Sequence, residues 1–397
     1  MSIFLHQSNV IFNVNISFAD FFCVLILLVF AFQQQLQIPI KPLIFFLVLS
    51  ALVLATSVFY VPFKFMYYPS LMRIISEYVK LVAIFIYFII GFNLSKLGYL
   101  EKTIRWYSIF GIFIGAIGVL FTLFNIGLFS QFLFFAGIRF RGLMIDPNYF
   151  SILQVSALVY LSRAKAISPK LKFIAIIITV LSVIASGSKT GMVTLVCYTF
   201  IRIIEYIFMS KKKIKVIVFQ LFLIVIFVLL IPLAASFLQN IINSLTLSIP
   251  SFARIQYLFT DLDYAIAGNG SGRDNTWNVA LEIIKLSPII GTGIGTYTNI
   301  GFEMFQLNNV AHNTFLQLSA EWGVPTAFIL FSYVFFILLK ATSSRVFNSE
   351  INLILRDIII ILLIGSVAIS LNNARMLWLF LGALVYSVSN GNTYRKN

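Results

Sequence analysis

The side chains with most chemical capacity in this sequence are a few cations and one imidazole. They are Arg139 and Arg141 in GIRFRGLMIDPN, Lys189 in SGSKTG, Arg273 in GSGRDNTW, Arg375 in NNARMLW, and His312 at the head of HNTFLQLSAEWGVPT. A guanidinium presents forked N–H donors that match phosphate oxygens, and a lysine supplies a compact positive charge. Imidazole is the usual general base near neutral pH. Such a set suits a reaction in which phosphate departs and a hydroxyl loses its proton. Each residue also has a plainer reading. Asp146-Pro147-Asn148 is a helix-start signal beside the two arginines, so Asp146 reads as a cap. Lys189 reads equally well as a snorkelling side chain, Arg375 as an anchor, Arg254 as a surface or headgroup contact, and His312 as a polar helix-end residue. Glu321 lies about two and a half turns beyond His312, on roughly the opposite face of one helix, so the two form no dyad unless Gly323 and Pro325 distort it.

The elements that must carry these groups are membrane-spanning. Hydrophobic residues make up 60% of the chain and charged residues 10%, with a mean hydropathy of +0.99. That leaves too little polar surface to coat a water-soluble globule of this length. Runs such as LIFFLVLSALVLA and IIIILLIGSVAISL recur along the whole chain, and roughly 20 such residues cross a bilayer as a helix. Period-two alternation is absent, which excludes a barrel. The fold class is therefore an all-α polytopic membrane protein of about eleven helices, near 17–33, 42–61, 74–94, 104–126, 147–162, 171–187, 190–209, 214–238, 313–338, 354–371 and 375–389. The basic segments RAKAISPKLK, MSKKKIK, KATSSR and the terminal YRK all fall on one side of this arrangement. The positive-inside rule makes that side cytoplasmic, with the N-terminus outside and the C-terminus inside. The six site candidates then fall at the outer face, where retaining arginine opposes the topogenic bias.

One outer loop, 239–312, is too long for a connector and separates an N-terminal transmembrane part, 1–238, from C-terminal helices, 313–397. Within it the spacing of Trp277, Leu281 and Ile284 predicts a helix that ends before Pro288 and three glycines, a small cap over the bundle. GTGIG at 291–295 lacks the strand-helix-strand setting of a dinucleotide loop and reads as a flexible turn. Overlapping SGSK and KTG mimic penicillin-binding signatures, but those require separate elements of a soluble domain. Cys23 and Cys197 both fall inside spans, which gives a disulfide little support. The first 17 residues lack a basic start and a cleavage site, so the first span is expected to be retained. No zinc spacing occurs, which favours metal-independent chemistry without a cofactor. The formal charge of +15 is spread among loops rather than gathered on one face, so nucleic acid is not a partner.

HNTFLQLSAEWGVPT has a histidine, then Asn/Ser/Gln, nine residues, a glycine, two residues and Gly/Thr/Tyr, here His312, Asn313, Gly323 and Thr326. In this it resembles the O-antigen ligase and O-antigen polymerase family of integral-membrane glycosyltransferases. SGSKTG is similar to the family's Ser-Arg-Thr-Gly element with Lys189 in place of arginine, which keeps the charge and loses the fork. GRDNTWNVALEIIKLSPIIGTGIGTY and RGLMIDPNYF resemble two further family segments, and the likeness runs from about 139 to 330. The resemblance implies a GT-C-like bundle and an undecaprenyl-diphosphate-linked oligosaccharide as donor at the outer face of a bacterial inner membrane. It implies neither nucleotide sugar nor metal. Arg273 matches the arginine near the family's active site, and His312 the candidate base or acceptor-positioning residue. Lys189, Arg139, Arg141 and Arg375 are substrate-binding candidates, and a chain-length-regulating partner protein is expected from the family alone.

The leading expectation is a polymerase that moves a growing glycan from its lipid carrier to a new lipid-linked repeat unit, probing the same donor chemistry as a ligase that uses lipid A-core as acceptor. Abundant Phe, Tyr and Ile and an idiosyncratic loop favour the polymerase. A flippase or other transporter would place its polar groups along a midplane path, often in repeated halves, whereas the notable charges here cluster at one face.

Overall fold

The structure, a computed structural model, describes residues 1–11, 14–209, 272–343 and 349–390. Helices stand at ten of the expected span positions, while the span at 214–238, the 239–271 part of the large loop with Arg254, and the terminal YRK lie outside the described residues. In chain order they are α1 (Phe18–Phe32), α2 (Ile40–Ala55, continuing through a widened turn Thr56–Tyr60 into Val61–Phe65), α3 (Leu71–Lys96), α4 (Leu100–Leu123), α5 (Pro147–Arg163), α6 (Pro169–Ala185) and α7 (Lys189–Met209). The described part of the large loop carries α8 (Arg273–Leu286) and α9 (Tyr297–Phe305). After it come α10 (Thr314–Trp322), α11 (Val324–Thr342), α12 (Glu350–Ser366) and α13 (Arg375–Ser389). Two short antiparallel ribbons, Asn9–Ile11 with Val14–Ile16 and Phe134–Phe135 with Arg139–Phe140, are the strands among the described residues. Five of the helical segments are long and apolar enough to cross a membrane by themselves. Outward-facing Phe21, Phe59, Phe113, Phe173 and Phe328 are all more than half exposed, a surface suited to lipid rather than water.

Small residues set how closely the helices approach. A Cβ at Gly91 of α3 would run into the Leu379 carbonyl of α13, and one at Gly382 of α13 into the Phe88 carbonyl of α3. The two backbones touch there, as small residues allow between membrane helices. At the N-terminus, the turn Ser2–His6 tucks under α4, where the His6 ring stacks on Tyr107 with centroids 4.4 Å apart and Nε2 lies 2.8 Å from the Tyr107 carbonyl oxygen.

The stretch expected to form one span at 313–338 is two helices, α10 and α11, broken at Gly323. Its backbone takes φ 80° and ψ 151°, a region essentially reserved for glycine. The break frees carbonyls that must find donors away from water. The expected flexible turn at 291–295 supplies them. Thr292 N–H donates to Ala320 O at 2.9 Å and Gly293 N–H donates to Glu321 O at 2.8 Å, while in the reverse sense Val324 N–H at the start of α11 donates to Pro288 O, ahead of the turn, at 2.8 Å. So close a backbone contact leaves no room for side chains. A Cβ on Gly291 would lie 2.5 Å from both Glu321 O and Gly323 N, and one on Gly323 would run into Ile289 O. The same turn reaches the widened turn of α2, where the Ser57 hydroxyl lies 2.8 Å from both Val53 O and Ile294 O. A satellite core of Val61, Ala280, Ile283, Tyr297, Ile300, Ala311 and Ala320 then binds α8 and α9 to α2 and α10. The segment 272–311, the described end of the expected loop, thus packs into the bundle.

At the opposite end, α5, α7 and α12 are joined by buried ions. Arg163 pairs with Asp357 at 2.6 Å and with Glu205 at 2.5 Å, and Arg356 pairs with Asp357 at 2.7 Å and with Glu205 at 3.1 Å. Asp357 is 1% exposed, so removing it leaves Glu205 alone to offset two guanidinium groups in an apolar setting.

Two stability outcomes follow. Gly323→Ala should cost about 3 kcal/mol or more, from backbone strain plus the clash with Ile289, read as a large fall in detergent melting temperature. Asp357→Ala should cost about 3–5 kcal/mol in the same assay, whereas exposed Lys285→Ala should leave it within about 0.5 kcal/mol.

Candidate active site

Four of the six sequence candidates, Arg139, Lys189, Arg273 and His312, line one cavity of about 500 Å³, together with Asp146, Asn148 and Tyr149. They come from four separate parts of the chain. Arg139, on the short ribbon ahead of α5, is 7% exposed. Its Nε donates to Ser186 O at 3.0 Å and its Nη2 to Asn148 Oδ1 at 3.0 Å. That amide oxygen also accepts from Ser188 Oγ at 2.9 Å, so one carboxamide ties the start of α5 to the start of α7. Asp146 caps α5, accepting from Asn148 N–H at 2.6 Å and Tyr149 N–H at 3.1 Å. The capping reading holds, and the same carboxylate also lines the cavity.

Lys189 is the first residue of α7, just after Ser188, whose hydroxyl accepts from Gly191 N–H at 3.0 Å. A lysine here sits at the positive end of a helix dipole, an unfavourable place that an anion would relieve. Arg273 opens α8 after Gly272, which has φ 54°, and its Nη2 donates to Thr190 Oγ1 at 3.0 Å. The first turns of α7 and α8 therefore meet, each headed by a cation.

His312 occupies a left-handed conformation at φ 49°, unusual for a residue other than glycine, and neighbours on both sides hold it there. Ala311 N–H donates to Gln317 Oε1 at 2.8 Å. Asn313 caps α10 through Phe315 N–H at 2.9 Å and Leu316 N–H at 3.1 Å. The Thr314 hydroxyl bridges Ile369 O at 2.9 Å and Leu371 N–H at 2.8 Å. Burial and then the Arg273 cation lower the imidazole pKa from its ordinary 6.5, against the opposing pull of Asp146. A neutral imidazole at physiological pH is the form that accepts a proton.

The other two candidates sit elsewhere. Arg141 braces its own loop, donating to Gln131 O at 2.9 Å, Phe132 O at 3.3 Å and Ile145 O at 3.3 Å. Arg375 lines a neighbouring cavity and forms a double contact with Asp20 of α1, at 2.6 Å from both Nε and Nη2. Glu321 also faces that neighbouring cavity, apart from His312, so the helix break at Gly323 brings no dyad together. Sequence reasoning missed Asn148, Ser188 and Thr190 as holders of the cations, since neutral polar residues at helix starts carry no signal beyond capping. It also missed Arg73, Glu77 and Lys80 in the second cavity. Their signal was legible, as three charges at helical spacing on an otherwise apolar span.

Apolar helices surrounding a cation-rich chamber define a polytopic integral-membrane protein. Residues 174–331 match the family model described as O-antigen ligase, which bears out the resemblance to the O-antigen polymerase and ligase family over that stretch. Lys189, Arg273 and His312 lie inside the match, while Arg139 and Arg375 lie beyond it. Members of this family are glycosyltransferase-like enzymes. No curated protein matches the chain.

The depressed imidazole pKa sets the pH dependence of any step in which His312 accepts a proton. Such a base is active while neutral and fails as pH falls through its own pKa. The acidic limb of the turnover rate should therefore fall below pH 6.5, and Asp146→Asn, which removes the charge favouring imidazolium, should move the limb lower still.

Proposed function

We propose that this protein is a surface-polysaccharide (O-antigen) polymerase acting at the outer face of a bacterial inner membrane. It would transfer a growing glycan from an undecaprenyl-diphosphate carrier to a lipid-linked repeat unit. The observation that carries this reading is the meeting of Arg139, Lys189, Arg273 and His312 around one cavity. An acceptor hydroxyl attacks the anomeric carbon of the donor's reducing-end sugar, and His312 takes the hydroxyl proton. The carbon–oxygen bond to diphosphate breaks, and the carrier leaves as polyisoprenyl diphosphate with the bonding electrons. Arg273 and Lys189, at two converging helix starts, stabilise the negative charge that grows on the departing oxygen, and Arg139 adds a third cation to the same cavity. Direct displacement of this kind inverts the anomeric centre, and the three cations supply the positive charge without a metal ion entering the step. Arg141 acts as a brace for the loop that carries Arg139.

The test uses purified protein with a defined polyisoprenyl-diphosphate repeat unit and no second acceptor, with products separated by length. Wild type should give a ladder. His312→Ala and Arg273→Ala should each lower its rate by about 100-fold or more, the scale of losing a general base or a transition-state charge partner. Transfer that occurs only when lipid A-core is supplied would make the protein a ligase, and no transfer in either case would favour transport.

A further inference from the structure

Beside the cation chamber lies a second polar cavity of about 630 Å³, which shares Val310 and Ser370 with it. Its charged lining is balanced, with Arg73, Lys80 and Arg375 set against Asp20, Glu77 and Glu321. The first chamber instead has Arg139, Lys189 and Arg273 against Asp146 alone. Most of the balanced charges are internally engaged. Lys80 pairs with Glu77 at 2.6 Å, Arg73 donates to Asn299 Oδ1 at 2.5 Å, and Gln317 donates to Glu321. A lining of engaged charges and carboxamides, Gln317, Asn372 and Asn373 among them, offers many donors and acceptors. That suits the hydroxyl-rich sugars of a glycan.

This chamber also adjoins a third, apolar cavity of about 250 Å³ between α2, α3, α11 and α13, walled by aromatic side chains such as Phe46, Phe85, Trp322 and Trp378. Ile84 belongs to both, and consecutive Glu321 and Trp322 face the polar and apolar cavities respectively. On α3 the residues Arg73, Glu77, Lys80, Ile84 and Phe88 recur at spacings of four, three, four and four, a single helical stripe that starts among charges and ends in the slot. A molecule following this stripe changes from sugar-like to hydrocarbon along its length.

We infer that the balanced chamber and the aromatic slot together seat the acceptor, a polyisoprenyl-diphosphate-linked glycan with its tail in the slot, its diphosphate where slot and chamber meet, its sugars in the chamber and its reacting hydroxyl reaching His312 past Val310 and Ser370. This inference rests on the polymerase reading for the word acceptor. The seat for a lipid-linked glycan stands on the cavities themselves. Two separate seats give a polymerase a means of telling its two lipid-linked substrates apart, because the donor's diphosphate lies among the cations of the first chamber, while the acceptor is held chiefly through its sugars and tail.

Photolabelling and kinetics test it with the full-length protein in nanodiscs. A lipid-linked repeat unit carrying a diazirine in its tail should label slot-lining residues of α2, α3, α11 and α13. Unlabelled lipid-linked repeat unit should compete, and Leu49→Trp, which fills the slot, should abolish the labelling. Labelling elsewhere, or equal competition by phosphatidylglycerol, overturns the seat. In the transfer assay, Leu49→Trp and Glu321→Gln should raise KM for the acceptor about tenfold and leave KM for the donor within about twofold. An acceptor with a two-isoprene tail should be indifferent to Leu49→Trp. Ile329→Trp, at the exposed edge of the slot, reads the same effect should the Leu49 variant fail to fold. A rise in donor KM instead overturns the acceptor assignment. Slot labelling in a protein that transfers nothing refutes the polymerase reading and leaves the lipid seat standing.

Discussion

The interaction on which the rest of the structure depends is the backbone contact between a broken helix and a glycine turn. A helix that stops inside an apolar bundle leaves carbonyl groups that no water can satisfy, each a cost of several kcal/mol. Here the carbonyls of Ala320 and Glu321 are met by the amides of Thr292 and Gly293. The contact works only because Gly291 and Gly323 have no side chains in the space between. The break and the turn are therefore one device: neither is tolerable without the other.

That device sets the geometry of both polar chambers. Ending α10 at Trp322 lets the chain change direction, so that His312 at one end of α10 and Glu321 at the other serve different cavities. Docking the turn fixes where α8 emerges, and hence where Arg273 meets Thr190 at the start of α7. The cation chamber then collects positive charge at helix N-termini, where the dipoles already favour an anion. Next to it, a chamber of similar size sets carboxylates beside its cations, with Lys80 paired to Glu77 and Arg375 to Asp20. Two cavities of different electrostatic character, divided by Val310 and Ser370, sit where a group leaving one molecule could be received by another.

At the far end the buried ions of Arg163, Glu205, Arg356 and Asp357 have a different task. They join α5, α7 and α12, the helices whose opposite ends or adjoining loops carry Asn148, Lys189 and the Ile369 carbonyl that holds Thr314. Fixing one end of these helices limits splaying at the other, so the first-turn residues keep their spacing.

Much of this could be read from the residues. Hydrophobic runs marked the helices because a bilayer admits few other spanning structures, and Asp146-Pro147-Asn148 announced its cap through local geometry alone. The cations at 139, 189 and 273 and the histidine at 312 stood out because charge is rare in such a chain, and the family pattern added their order. What the sequence could not reveal was which charges share a chamber. Arg375 resembled the other outer cations, yet it faces Asp20 across a contact 355 residues apart, and Arg141 differs from Arg139 by only two positions while bracing a loop instead of lining the cavity. Likewise the glycines of GTGIG read as a loose turn, since a pattern of small residues does not say what backbone will press against them. Helix identity is decided by local hydrogen bonds and hydropathy, which sequence carries directly. The grouping of side chains into two chambers is decided by close packing between distant segments, and only the folded chain supplies that.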